Sequence, residues 1–144
     1  MKKFELGNMG RTVAIELERG DKVIESIEKV LSEMNIKNAI VGSAVGSIQK
    51  LNYHRPTDLG PTSNKEFLCI EAPMEVGSLT GSVIDGRGHF HIVATDTENV
   101  YGGHLEPDTE VLYLLEIVMI EIANCNLERK YTPEEVWKLF VKGS

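Results

Sequence analysis

The sequence predicts an α/β domain of the α+β type, in which strands joined by tight turns predominate. Residues 11–18 and 88–95 alternate apolar and polar side chains, which is typical of half-buried strands. Residues 23–34 instead have apolar side chains at helical spacing on one face. With 144 residues, 42% of them hydrophobic and 26% charged, the chain has the size and composition of one globular domain, residues 1–144.

The predicted helix follows the first strand closely. Gly20 turns the chain, and Asp21 is a suitable N-cap for the helix over residues 23–34. Residues 39–44 and 47–54 are then predicted as two extended pieces. The glycine between them, Gly46, is expected to separate the two.

Two further strands are predicted in the middle of the chain, at residues 66–72 and 74–84. Asp85-Gly86 is a strong hairpin signal, so the strand that ends at position 84 is expected to pair with the one over residues 88–95.

Three of the four histidines lie close together in the sequence. His89 and His91 are two residues apart, so their side chains leave the same face of a strand. The polar run 96–99 is turn-like, and a two- or four-residue loop there pairs residues whose numbers sum to 195. This register places His104 directly opposite His91, whereas a three-residue loop would place it on the other face.

Three imidazoles that converge in this way can bind one divalent metal ion, and zinc suits three neutral nitrogen ligands with an open position. We therefore predict a zinc site at His89, His91 and His104. Glu106 would lie opposite His89 and is a candidate fourth ligand, as is water, provided that Pro107 has not ended the strand. The alternative is that the histidines are only polar members of a sheet face. His54 precedes a loop and is left out of the predicted site.

The histidine motifs also resemble a known family. Gly88-His89-Phe90-His91 followed by Gly102-Gly103-His104-Leu105 resembles the signature of the PPC domain, the plants and prokaryotes conserved domain. The similarity continues at Gly20-Asp21, Gly46-Ser47, residues 75–81 and Glu116-Ile117-Val118. The resemblance implies a curved, mostly antiparallel sheet flanked by helices and assembly as a homotrimer.

The C-terminal third contains the hardest assignment. Residues 111–123 are long enough for a helix but rich in Val and Ile, and the family implies a central strand, so we predict a strand. Thr132-Pro133-Glu134-Glu135 has the form of a capping box with proline at the first helical position. It predicts a short helix that ends at about Val141.

The resemblance leaves three classes of function open. Stand-alone prokaryotic members are described as candidate DNA-binding proteins, which suggests a regulatory role for a metal-binding domain. The fold is also similar to part of α-acetolactate decarboxylase, a zinc enzyme, and in a metalloenzyme Glu106 or Glu75 would accept a proton. In the third class, the histidine cleft binds a small anionic metabolite without turnover.

Composition bears on partners and location. The formal net charge of −7 disfavours DNA, because phosphate binding depends on clustered Lys and Arg. The candidate basic patches, Lys2-Lys3 and Arg129-Lys130, are small. The first residues contain no apolar signal segment and the longest apolar run is interrupted by glutamates, so we expect a cytoplasmic protein without a membrane span.

Overall fold

The computed structural model describes residues 1–143 and contains eight strands and one helix within them. Their order along the chain is β1 (Asn8–Glu18), α1 (Val23–Glu33), β2 (Ala39–Pro56), β3 (Lys65–Ile84), β4 (Arg87–Thr95), β5 (Val100–Leu105), β6 (Glu110–Ala123), β7 (Leu127–Tyr131) and β8 (Trp137–Val141).

Six strands form one antiparallel sheet in the order β1-β6-β2-β3-β4-β5. The sheet curves until β5 also pairs with β2, so that β2, β3, β4 and β5 close into a ring. The contact that closes the ring is short: Tyr53 pairs with Leu105, and His54 pairs with His104. The long strand β2 makes this possible, since it pairs with β6 over its first part and reaches β5 near its end.

Two glycines allow the strands to approach each other within the curved sheet. Gly46 has φ +148°, and a Cβ there would lie 2.2 Å from the carbonyl oxygen of Leu114. Gly81 has φ +138°, and a Cβ there would lie 2.1 Å from the carbonyl oxygen of His89. Only glycine avoids both the contact and the unfavourable backbone conformation.

The helix α1 covers one face of the sheet with the residues that its pattern predicted. Val23, Ile27 and Leu31 are buried in the core. The predicted N-cap was wrong by one position, because the N-cap is Lys22. The Asp21 carboxylate instead accepts a hydrogen bond from the backbone N–H of Glu18 at 2.9 Å, which holds the preceding turn.

Several predicted strands lie where the sequence placed them, but two predicted interruptions between strands are absent from residues 1–143. Residues 111–123 are a strand, as predicted, within β6. The two extended pieces around Gly46 are one strand, β2, and the two strands predicted over 66–84 are also one strand, β3. Both long strands carry register shifts, so the chain bends without leaving the sheet.

The predicted C-terminal helix is wrong, and α1 is the one helix within residues 1–143. The strands β7 and β8 form a separate two-stranded hairpin. The Thr132 hydroxyl donates to the carbonyl oxygen of Val136 at 3.0 Å and closes the loop between them, while Tyr131 and Trp137 pair across the strands. Aromatic and β-branched residues near this turn favour strands and outweigh the capping signal.

As for membranes, none of residues 1–143 belongs to a helix with the length and apolar character that crossing a bilayer requires.

Candidate metal centre

The hairpin of β4 and β5 has the predicted register. His91 pairs with His104 and Val93 with Gly102, and residues 96–99 form a four-residue loop. The Asp96 carboxylate holds that loop, since it accepts hydrogen bonds from the backbone N–H groups of Glu98 at 2.8 Å and Asn99 at 2.7 Å. It also accepts one from the Tyr101 hydroxyl at 2.8 Å. The loop length and its bonds therefore determine which face His104 occupies.

The three rings converge on that face. One ring nitrogen each from His89, His91 and His104 can be chosen so that all three lie within 4.8 Å of one another. Around a tetrahedral zinc ion at about 2.1 Å from each nitrogen, the nitrogens would be about 3.4 Å apart. Small rotations about the side-chain bonds would therefore bring the three nitrogens to the ligand separation of one ion.

The environment keeps two of these imidazoles neutral. Burial, followed by the neighbouring histidines His54 and His89, lowers the pKa of His104 to about 3. Burial, followed by the positive charge of Arg129, lowers the pKa of His89. Neutral imidazole is the form that binds a metal, so these nitrogens need not lose a proton first at neutral pH.

His54, which sequence reasoning left out, belongs to the same cluster. Its ring stacks on that of His104, with 4.3 Å between centroids. Its Nδ1 lies 2.5 Å from Oε1 of Glu106. His54, His104 and Glu106 form a second group whose candidate ligand atoms lie within 4.8 Å of one another. His104 thus belongs to two overlapping sets of potential ligands.

Of the two carboxylates that the sequence suggested, Glu106 lies beside the histidines and Glu75 does not. Glu106 does not pair with His89, because β5 ends at Leu105; its backbone N–H donates to the carbonyl oxygen of Asn52 at 2.9 Å. Its Oε1 still lies at the site, 2.5 Å from Nδ1 of His54 and 3.9 Å from Nε2 of His104. Glu75 pairs with Thr95 on β4. Thr95 follows His91 by four residues, so the two lie about 13 Å apart along the strand. Glu75 is therefore not brought to the histidines.

A cavity of about 300 Å³ adjoins the cluster. One wall contains His54, His89, His104 and Glu106. The other charged and aromatic residues that line it come from β3, β4 and the β7–β8 hairpin with its loop: Lys65, Phe67, Arg87, Arg129, Glu135 and Trp137. The C-terminal hairpin, whose second half was predicted as a helix, thus supplies part of the cavity that the histidines also line.

The fold and the histidine motifs agree with a family comparison. Residues 4–123 match the model of the Plants and Prokaryotes Conserved (PCC) domain. The chain belongs to this family. The predicted PPC resemblance is thereby confirmed, since the two abbreviations denote the same domain. The fold expected for it is confirmed in its antiparallel sheet and corrected in its helix content, one short helix within residues 1–143.

Solved PCC-like structures cover nearly the whole chain. A metal-containing protein from Archaeoglobus fulgidus is 26% identical with a TM-score of 0.79, over 96% of this chain and 99% of that one. A plant- and prokaryote-conserved protein from Pyrococcus horikoshii is 24% identical with a TM-score of 0.80, over 96% and 97%.

A third structure is described as a "putative DNA-binding protein" from Bacteroides thetaiotaomicron. It is 17% identical with a TM-score of 0.78, over 95% of this chain and 96% of that one. At this identity, the similarity shows the fold alone. Among curated proteins, none matches this sequence.

Proposed function

We propose that this PCC-domain protein binds one divalent metal ion, zinc, through His89, His91 and His104. The observation that carries the proposal is the convergence of the three ring nitrogens within 4.8 Å on one sheet face. Neutral nitrogen ligands suit zinc, and the low pKa of His104 means that its imidazole is neutral at pH 7. The Archaeoglobus relative, described as a metal-containing protein, adds support.

Three protein ligands leave a fourth position for water or for a ligand, as in catalytic zinc sites. A metalloenzyme is therefore a second candidate function. The observation that favours it is Glu106, whose Oε1 lies 3.9 Å from Nε2 of His104 at the wall of an open cavity. A carboxylate in that place could accept a proton from a ligand or from water.

The decisive experiment is metal analysis of protein purified without an affinity tag or chelator. We expect close to one zinc per chain. Two matched variants separate the overlapping ligand sets: His91→Gln removes a ligand of the proposed site only, and His54→Gln removes a member of the second set only. Metal lost in the first and kept in the second supports the proposal, while the reverse result, or a metal-free wild type, contradicts it.

We also propose the homotrimer that the family resemblance implies. Exposed apolar side chains on the neighbouring strands β2 and β6 support a subunit interface: Val45 is 57% exposed, Tyr113 71% and Leu114 42%. Exposed apolar surface is typical of interaction surfaces, and the pairing of Val45 with Glu116 puts Val45 on the same sheet face as Leu114. Light scattering should give about three times the chain mass of 16.0 kDa. A monomer at micromolar concentration would contradict this part of the proposal.

A regulatory role with DNA binding remains a candidate through the Bacteroides relative, but the charges oppose it. The net charge is −7. Of the predicted basic patch, Arg129 faces the cavity and donates to the Ser82 hydroxyl at 2.8 Å, and Lys130 lies 3.2 Å from Glu128. DNA binding should weaken steeply as salt increases, and a fluorescence titration at low salt that detects no complex would exclude it.

A further inference from the structure

The cavity beside the histidines has an unusual charge balance for an acidic protein. Three cations line it, Lys65, Arg87 and Arg129, against the two carboxylates Glu106 and Glu135. Glu106 is already bonded to His54 at 2.5 Å. In a chain of net charge −7, three cations in one cavity that form no ion pair with any of residues 1–143 require a physical explanation.

Arg129 is the clearest case. One terminal nitrogen, Nη2, donates to the Ser82 hydroxyl at 2.8 Å. The other, Nη1, is buried and has no hydrogen-bond partner among residues 1–143. Leaving part of a charged guanidinium buried and unsatisfied is costly, and a negative charge in the cavity that Arg129 lines would offset part of that cost.

Arg87 is placed next to it without an acid of its own. Its guanidinium lies over the Trp137 ring, 3.6 Å from the ring centroid, and forms no ion pair within the described part of the chain. The charge of Arg87 also adds to burial in lowering the pKa of Arg129. Two guanidinium groups that repel each other are stabilised together by an anion between them, and their planar forks match a carboxylate.

We infer that this cavity binds a small organic acid, with a carboxylate held by Arg87 and Arg129 and the rest of the molecule directed toward the histidines. The volume of about 300 Å³ suits a molecule of metabolite size. Trp137 and Phe67 add apolar surface to the lining, which favours a carbon skeleton over an inorganic anion. The inference rests on the proposed metal site for the far end of the ligand, whereas the arginine contacts belong to the chain alone.

The chain offers its own reporter for this binding. Trp137 is its single tryptophan, and it lines the cavity beneath Arg87. Titration of the full-length, zinc-loaded protein with acetate, malonate, succinate and adipate should give a saturable change in tryptophan fluorescence for at least one acid. Inorganic phosphate at the same ionic strength is the comparison anion. Tighter binding of phosphate than of every carboxylate would overturn the ligand class.

Variants test the arginines. Arg87→Gln, at an exposed position, should weaken carboxylate binding by about tenfold or more, as expected for the loss of a charge-assisted hydrogen bond. Arg129→Lys keeps the charge of the half-buried residue but removes the planar guanidinium, which can donate two parallel hydrogen bonds to a carboxylate. This variant should also weaken binding. Arg55→Gln is the matched control, since Arg55 pairs with Glu66 at 3.0 Å and does not line the cavity.

The outcomes separate this inference from the metal proposal. Unchanged affinity in folded Arg87→Gln and Arg129→Lys, or no saturable binding by fluorescence and calorimetry, overturns the carboxylate pocket even if zinc is present. Carboxylate binding that depends on both arginines supports the pocket. If such binding occurs in a wild-type protein that contains no metal, the metal proposal fails and the pocket stands.

Discussion

The imidazole rings of His54 and His104 are stacked, with centroids 4.3 Å apart and planes 22° apart. The stack forms where β2 pairs with β5 and closes the ring of strands. Nδ1 of the same His54 ring lies 2.5 Å from Oε1 of Glu106. His54 thereby connects one proposed metal ligand with the Glu106 carboxylate, which would make it a positioning residue for the proposed site.

The first prediction concerns this positioning role. His54→Phe keeps a flat ring against His104 but removes the nitrogen that bonds Glu106. We expect the variant to retain zinc at saturating metal and to bind it about tenfold more weakly, in the range typical when a partner of a ligand is removed. Competition with a chromophoric chelator measures the affinity.

Phe67→Leu is the control for this variant. The Phe67 ring also contacts His54, at 5.2 Å between centroids, but it takes no part in the bond to Glu106. We expect wild-type zinc affinity in Phe67→Leu. Equal affinities in wild type and His54→Phe would show that the His54–Glu106 bond does not position the site.

The local part of the site could be predicted from the sequence, and its closure could not. The pairing of His91 with His104 follows from the strand period and the length of the loop at 96–99, which are both local properties. His54 reaches His104 only because β2 is long enough to meet β5 after pairing with two other strands. No nearby residue encodes that contact, so His54 was missed.

The C-terminal error has a different cause. The segment from Thr132 to Glu135 carries a real capping signal, but the residues around it can pair with each other as strands. Tyr131 and Trp137 lie opposite each other, with ring centroids 5.4 Å apart. The cross-strand aromatic contact outweighed the local helix signal. Because the hairpin was not predicted, the sequence did not show that Arg129 and Trp137 line the cavity.

The second prediction concerns the loop that determines the register. Asp96→Ala removes the acceptor for the N–H groups of Glu98 and Asn99 and for the Tyr101 hydroxyl. Because these hydrogen bonds hold the loop that sets the position of His104, we expect faster hydrogen exchange in the loop and weaker zinc binding. Asp96→Asn keeps one acceptor oxygen and should lie between wild type and Asp96→Ala. Identical zinc affinity in all three proteins would contradict the prediction.

The third prediction concerns acid sensitivity of the metal-free protein. The pKa of His104 in the folded chain is about 3, below the ordinary value of 6.5, so the unfolded chain binds the proton more readily. Stability is therefore unaffected by this group above pH 6.5 and decreases as pH falls from there toward 3. The lowered pKa of His89 acts in the same direction. Urea midpoints at about pH 7.5 and about pH 5 measure the effect.

His104→Gln provides the comparison for this test, because glutamine does not titrate. We expect the urea midpoint of metal-free His104→Gln to change less between the two pH values than that of metal-free wild type. Zinc should also reduce the wild-type change, since a bound metal opposes protonation of its ligands. An equal pH dependence in both metal-free proteins would mean that His104 does not control acid stability.

The fourth prediction concerns the close approach of β3 and β4. A Cβ at Gly81 would lie 2.1 Å from the carbonyl oxygen of His89, and the φ of +138° is unfavourable for alanine. Gly81→Ala should therefore reduce the free energy of unfolding by about 1–3 kcal/mol, the usual cost of such backbone strain. It should also weaken zinc binding, because the strand that must move carries His89 and His91.

Gly77→Ala is the matched control on the same strand. Its added Cβ would meet only the carbonyl oxygen of Val93, at an ordinary 3.6 Å. We expect near-wild-type urea denaturation and zinc affinity for Gly77→Ala. If Gly81→Ala were equally harmless, β3 and β4 could separate without disturbing the histidines, and the spacing between these strands would not be what holds His89 in place.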